Sequence, residues 1–238
     1  MKKSKKIMIN EEEKFIFLHI PKTGGTSIEK AVMSEKWENT NNTRHYNIRR
    51  LGLTKKQCDN YTIFTVSRNP FTRIASTYNH FLQSPDNYLQ RKQWAKEDYP
   101  FCKYVKNIED YFRGNLVVSL PDSNGKGSFL YRAMTKENFY NYQNFNTDVK
   151  FILDTQHIET LKWWTKTIDG QHADCHILRF ERLDSDWEKF KSKIRISSKL
   201  EKLNVLKTSG DDYMKYYDKD SKKIIQKLYA EELRNQEQ

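Results

Sequence analysis

The sequence predicts an α/β fold in three layers around a central, mostly parallel sheet. Three observations carry this. Short runs rich in apolar, β-branched and aromatic residues recur near 15–20, 61–67, 149–153 and 175–180, with stretches of helical spacing after them. Two of these runs lead at once into a helix start, at Gly24-Gly25 and at Asn69-Pro70. No Pro/Gly/Ser-rich linker divides the 238 residues, so one domain over 1–238 is expected, with a flexible start over 1–13.

The first element, Phe15 to Ile20, reads as a short buried strand. Pro21 ends it, because proline cannot donate to a sheet ladder. Lys22 to Gly25 make a tight turn, and two adjacent glycines permit positive φ and close approach of a ligand to the backbone. Thr26 or Ser27 is the expected N-cap of a helix running to about Met33. A strand, a glycine turn and a helix start together suit a phosphate or sulfate, because unpaired N–H groups and the helix dipole both favour an anion. Lys22, Thr23, Thr26 and Ser27 add a cation and three hydroxyls. The turn is not a Walker A loop: Lys22 precedes Gly24 instead of following a second glycine.

Residues 34–60 are polar and basic, with an asparagine-rich loop before Arg44-His45 and a short helical pattern over Asn47 to Leu53. His45 is either a loop histidine at the surface or a proton acceptor with a suitable pKa. Tyr61 to Ser67 is a strand, and Arg68 stands at its carboxyl end, where open α/β sheets bind ligands. The helix opened by Asn69-Pro70 carries Arg73 and Ser76, with Tyr78, Phe81 and Leu82 as core. Phe101 to Phe112 is the next helix, stopped by Gly114. Further on, aromatics interleave with basic residues, and Lys126 and Arg132 are candidates to meet an anion. An apolar run from Val149 ends at Asp154, in imitation of a Walker B strand, and a helix over Glu159 to Thr167 follows. The strand over 175–180 exits through Phe180-Glu181 into a helix with Trp187 and Phe190. His176 and Glu181 read as structural. Lys207, Thr208 and Ser209 lie in a late loop before a helix from about Lys219 to Leu233, capped by Asp218 or Asp220.

The 42 Lys+Arg against 31 Asp+Glu give a formal net charge of +11, which favours anionic partners without choosing among them. Ile7-Met8-Ile9 is too short for a signal-peptide core, and no apolar run is long enough to span a membrane. Cys58, Cys102 and Cys175 form no zinc or CxxC pattern, so a reducing cytoplasm is the expected compartment.

The run P-K-T-G-G-T-S at 21–27 resembles the 5′-phosphosulfate loop of sulfotransferases, especially those that modify carbohydrates. R-N-P-x-x-R-x-x-S-x-Y from Arg68 resembles their 3′-phosphate motif, and I-L-R-F-E-R-L over 177–183 resembles a later strand and its exit. The likeness spans about 14–33, 61–82 and 149–233, with a diverged stretch at 83–148 where acceptor selectivity is expected. It implies a P-loop NTPase-like fold and 3′-phosphoadenosine 5′-phosphosulfate (PAPS) as sulfuryl donor. The donor would be held by Lys22, Thr23, Gly24, Gly25, Thr26, Ser27, Arg68 and Ser76, with His45 as base and Lys22 assisting. His157 is a rival base. The implied acceptor is a hydroxyl on a glycan or glycoconjugate; no metal and no specific nucleic acid are expected. Two other classes remain open on the residues: an NTP-dependent phosphotransferase with Asp154 on magnesium, and a non-catalytic binder of polyanions or nucleic acid.

Overall fold

A computed structural model describes residues 9–36, 45–83, 100–114, 155–201 and 210–237. The expected strand at 149–153, Asp154, Lys126, Arg132 and Lys207 to Ser209 lie outside them. The chain groups into two compact units, Met1–Asn69 with Glu159–Thr208, and Pro70–Ile158 with Ser209–Gln238.

The first unit holds a four-stranded, mostly parallel sheet in the order β1-β2-β3-β4. These strands are Ile9–Asn10, Phe15–Leu18, Thr62–Ser67 and His176–Arg179. β2, β3 and β4 run parallel, with Phe15 opposite Thr62 and Phe64 opposite His176. β1 pairs antiparallel with β2 inside the stretch expected to be flexible. Its return is closed by Asn10 Oδ1, which accepts from Glu12 N–H at 3.0 Å and Glu13 N–H at 2.8 Å. A two-residue strand shows no periodicity, so its pairing depends on this turn and on β2.

Side chains alternate across a strand, and the alternation divides the buried residues between two cores. Phe15, Phe17, Phe64, Val66 and Leu178 join Ile28 and Val32 of α1 (Gly25–Lys36). Ile16, Leu18 and Ile63 join Ile48 and Leu51 of α2 (Ile48–Leu51) and Cys58 of α3 (Lys55–Cys58). The single helical pattern over 47–53 is thus realised as α2, followed by a separate α3. Asn47 caps α2 and Gly52, at φ +76°, ends it; Thr54 and Gln57 then form a reciprocal capping box for α3.

In the second unit, α4 (Pro70–Gln83) and α5 (Phe101–Phe112) share a core of Ile74, Tyr78, Tyr104, Val105 and Ile108. The helix expected over 159–167 is shorter: α6 (Thr155–Ile158) lies in the second unit, and α7 (Leu161–Thr165), in the first unit, starts where Thr160 accepts a hydrogen bond from Trp163 N–H. In the first unit, α8 (Leu183–Phe190) packs Trp187 and Phe190 into the aromatic core. The C-terminal helix is two helices, α9 (Lys219–Leu228) and α10 (Ala230–Glu237). Asp218 caps α9, accepting from Ser221 N–H at 2.7 Å. The break falls at Tyr229, which is buried and donates its hydroxyl to Ile158 O at 2.5 Å.

Candidate active site

The carboxyl ends of β2, β3 and β4 lie side by side in the first unit, and each delivers residues to one place. β2 delivers the turn Pro21 to Gly25. Lys22 takes φ +65° and Gly24 φ +84°, so the backbone reverses within three residues. Thr23 is buried and donates its hydroxyl to Ile20 O at 2.8 Å, which closes the turn from inside. The helix begins at Gly25, so Thr26 and Ser27 stand in its first turn rather than ahead of it as caps. Thr26 is half-buried and Ser27 buried.

Gly25 is required by a neighbour. A Cβ there would lie 2.4 Å from the His19 ring. His19 is buried, stacks on Phe17 with centroids 5.6 Å apart, and donates from Nδ1 to Glu29 Oε1 at 2.6 Å. The carboxylate can only accept, so Nδ1 carries the proton. His19 and Glu29 thus lock the strand exit to α1.

His45 reaches the same exit. Its Nδ1 lies 2.8 Å from His19 O, and the two rings meet edge-on at 4.7 Å. A carbonyl oxygen only accepts, so the neutral ring carries its proton on Nδ1 and its basic lone pair on Nε2.

β3 delivers Arg68, whose guanidinium donates from Nη1 to Lys22 O at 3.1 Å. This ties the second anchor directly to the first. The Lys22 ammonium is half-buried, and no carboxylate among the described residues pairs with it. Burial, and after it the Arg68 charge, hold its pKa below the ordinary lysine value. Arg68 is itself lowered by burial, partly offset by Glu181. Two cations partly withdrawn from water and repelling one another form a site that an anion stabilises.

β4 delivers Phe180 and Glu181. Glu181 accepts from Asn69 N–H at 2.9 Å, consistent with a structural role at the connection after β3. The Arg68 guanidinium carbon lies over the face of the Phe180 ring, 4.3 Å from its centroid.

Lys22 through Ser27, His45 and Arg68 therefore gather in one unit. Ser76 falls on α4 in the second unit. It is buried, and its Oγ has no hydrogen-bond partner among the described residues. Arg73 on the same helix is buried and paired with Glu232 at 3.2 Å. His157 lies on α6, also in the second unit, beside His80. The sequence reading missed His19, Glu29 and Phe180. A histidine and an acid flanking a glycine turn were the only signal for the first two.

The family model described as the sulfotransferase family matches residues 5–235. The chain belongs to the sulfotransferase family. Neither the curated proteins nor the solved structures gave a match. The sulfotransferase is accordingly a transferase whose acceptor carries a hydroxyl, in a family that generally uses PAPS. No helix among the described residues is long and apolar enough to cross a membrane. No group of three or more His, Cys, Asp or Glu among them could hold a metal ion.

Proposed function

We propose that the protein transfers a sulfuryl group from PAPS to a hydroxyl of a carbohydrate. The observation that carries this is the half-buried Lys22 ammonium, without a carboxylate partner among the described residues, joined through its own carbonyl to Arg68 at the mouth of a glycine turn. PAPS, when bound, supplies an activated sulfuryl group on a 5′-phosphate leaving group. The Lys22 ammonium and the amides from Gly24 to Thr26 stabilise charge on the leaving phosphate oxygen, the Ser27 N–H being donated to Gly24 O at 3.1 Å. Arg68 binds the 3′-phosphate through its planar N–H edge, and the sequence pattern assigns the Ser76 hydroxyl to the same phosphate. His45, with Nδ1–H held by His19 O, presents Nε2 to take the acceptor hydroxyl's proton as the oxygen attacks sulfur. The net charge of +11 suits anionic partners, an acidic glycan among them. The expected compartment is the cytoplasm, on the three free cysteines.

Calorimetry with 3′-phosphoadenosine 5′-phosphate, ADP and ATP, with and without magnesium, tests the donor site. Metal-independent binding that prefers the 3′-phosphate and is clearly weakened, though still measurable, in Arg68→Ala is expected. Equal affinity for ADP, or an Arg68→Ala variant that binds like wild type, would sink the reading. Turnover of labelled PAPS on glycan acceptors, abolished in His45→Ala, tests the chemistry.

A further inference from the structure

Phe180 touches both halves of the candidate donor site and belongs to neither motif. Its ring lies under the Arg68 guanidinium at 4.3 Å. The same ring closes on the glycine turn: a Cβ on Gly24 would sit 2.8 Å from its Cδ2 and 2.9 Å from its Cε2. The next residue, Glu181, holds Asn69 N–H at 2.9 Å, so the exit of β4 grips the segment carrying Arg68 at two points. Phe180 is 36 % exposed, although its ring meets both the Gly24 turn and the Arg68 guanidinium. Burial in the core does not account for its place.

We propose that Phe180 is the positioning residue of the donor site. It seats the Arg68 guanidinium by its face and sets the separation between Arg68 and the Gly24 turn. The inference rests on the reading of this site as the PAPS site. Stacking uses the face of a guanidinium and leaves its in-plane N–H edge to hydrogen bonds, so an aromatic floor orients the edge without competing for it. An arginine withdrawn from water with its geometry already set loses less freedom on binding a phosphate. The requirement for glycine at position 24 follows from the same ring: the turn passes too close to the ring for any side chain there.

The test is a double-mutant cycle read by calorimetry with 3′-phosphoadenosine 5′-phosphate. Phe180→Leu keeps an apolar side chain beside Gly24 but removes the aromatic face; Phe180→Tyr keeps both. Phe180→Leu should weaken binding by about 3- to 30-fold, the range of a partly desolvated cation–π contact. Phe180→Tyr should stay within about twofold of wild type. With Arg68→Ala already present, Phe180→Leu should change affinity by less than about twofold, since nothing remains to be seated. In turnover, the KM for PAPS should rise with little change in kcat. Wild-type affinity in Phe180→Leu, or an effect undiminished in the Arg68→Ala background, would overturn this inference while leaving the donor site intact. Failure of the reading beneath it is distinguishable: Arg68→Ala would then bind like wild type. A melting temperature for Phe180→Leu near that of wild type separates positioning from folding.

Discussion

Gly25→Ala should destabilise the protein through a single contact. Gly25 has an ordinary backbone conformation, so alanine meets no φ penalty there. The cost comes from the added methyl, which would lie 2.4 Å from His19 Cδ2 and 2.5 Å from Nε2. The ring has nowhere to retreat. Phe17 stacks on it at 5.6 Å, His45 meets its edge at 4.7 Å, and Glu29 holds Nδ1 at 2.6 Å. Overpacking of a closed site costs about 1–3 kcal/mol, and the upper part of that range applies where the neighbours are hydrogen-bonded. For a chain of this size, about 2 kcal/mol corresponds to a fall in melting temperature of roughly 4–8 °C. Differential scanning fluorimetry and urea denaturation would measure it, and turnover should fall as well, because His45 is suspended from the His19 carbonyl. In a His19→Ala background the same substitution should cost at least about 1 kcal/mol less. A Gly25→Ala variant melting within about 1 °C of wild type would refute the reasoning.

Lys22 predicts a pH profile. Its folded pKa is lowered by burial and by Arg68, so between that value and 10.5 the unfolded chain holds more protons and stability rises with pH. A bound phosphate reverses the preference; nucleotide affinity should therefore fall as pH rises through the lowered value, and Lys22→Arg should flatten the curve in calorimetry between about pH 7 and 10. Burial, with a smaller contribution from Asp59, pushes the Cys58 thiol up to about 11, whereas Cys102 is exposed. A thiol reagent near neutral pH should accordingly label Cys102 quickly and Cys58 only on unfolding, as peptide mapping would show. Asp218→Ala removes the cap of α9 and should cost about 1 kcal/mol by chemical denaturation. The Asp218 carboxyl is held below its usual value by Ser221, so its share of stability is present above the unfolded pKa and lost as pH falls through the folded one; acid titration of wild type against the variant should show the difference closing.

Local chemistry wrote much of this molecule legibly. Phe101–Phe112 matches its predicted bounds because its apolar spacing is periodic and Gly114, at φ +78°, follows it. The strands at 15, 62 and 176 were readable as β-branched or aromatic runs, and Asp218 as a cap. The elements that escaped were held by distant partners. β1 exists because β2 offers an edge, and the C-terminal helix breaks because Tyr229 reaches Ile158 O across 71 residues.

The same division runs through the site. The Lys22 to Ser27 turn, Arg68 and His45 could be picked out as candidates because each is a residue type suited to anions or protons beside a strand end, and the structure gathers them in one unit. Which nitrogen of His45 is basic could not be read from the chain, because the His19 carbonyl decides it from 26 residues away. Nor could the use of Phe180, which meets Gly24 and Arg68 only after three strands align their carboxyl ends. Sequence alone determined the kind of chemistry, since charge, hydroxyls and glycine turns are properties of residues. Tertiary structure decided the tautomer of His45, the contact beneath the arginine and the ring that crowds Gly24, since these are properties of contacts between segments the chain keeps far apart.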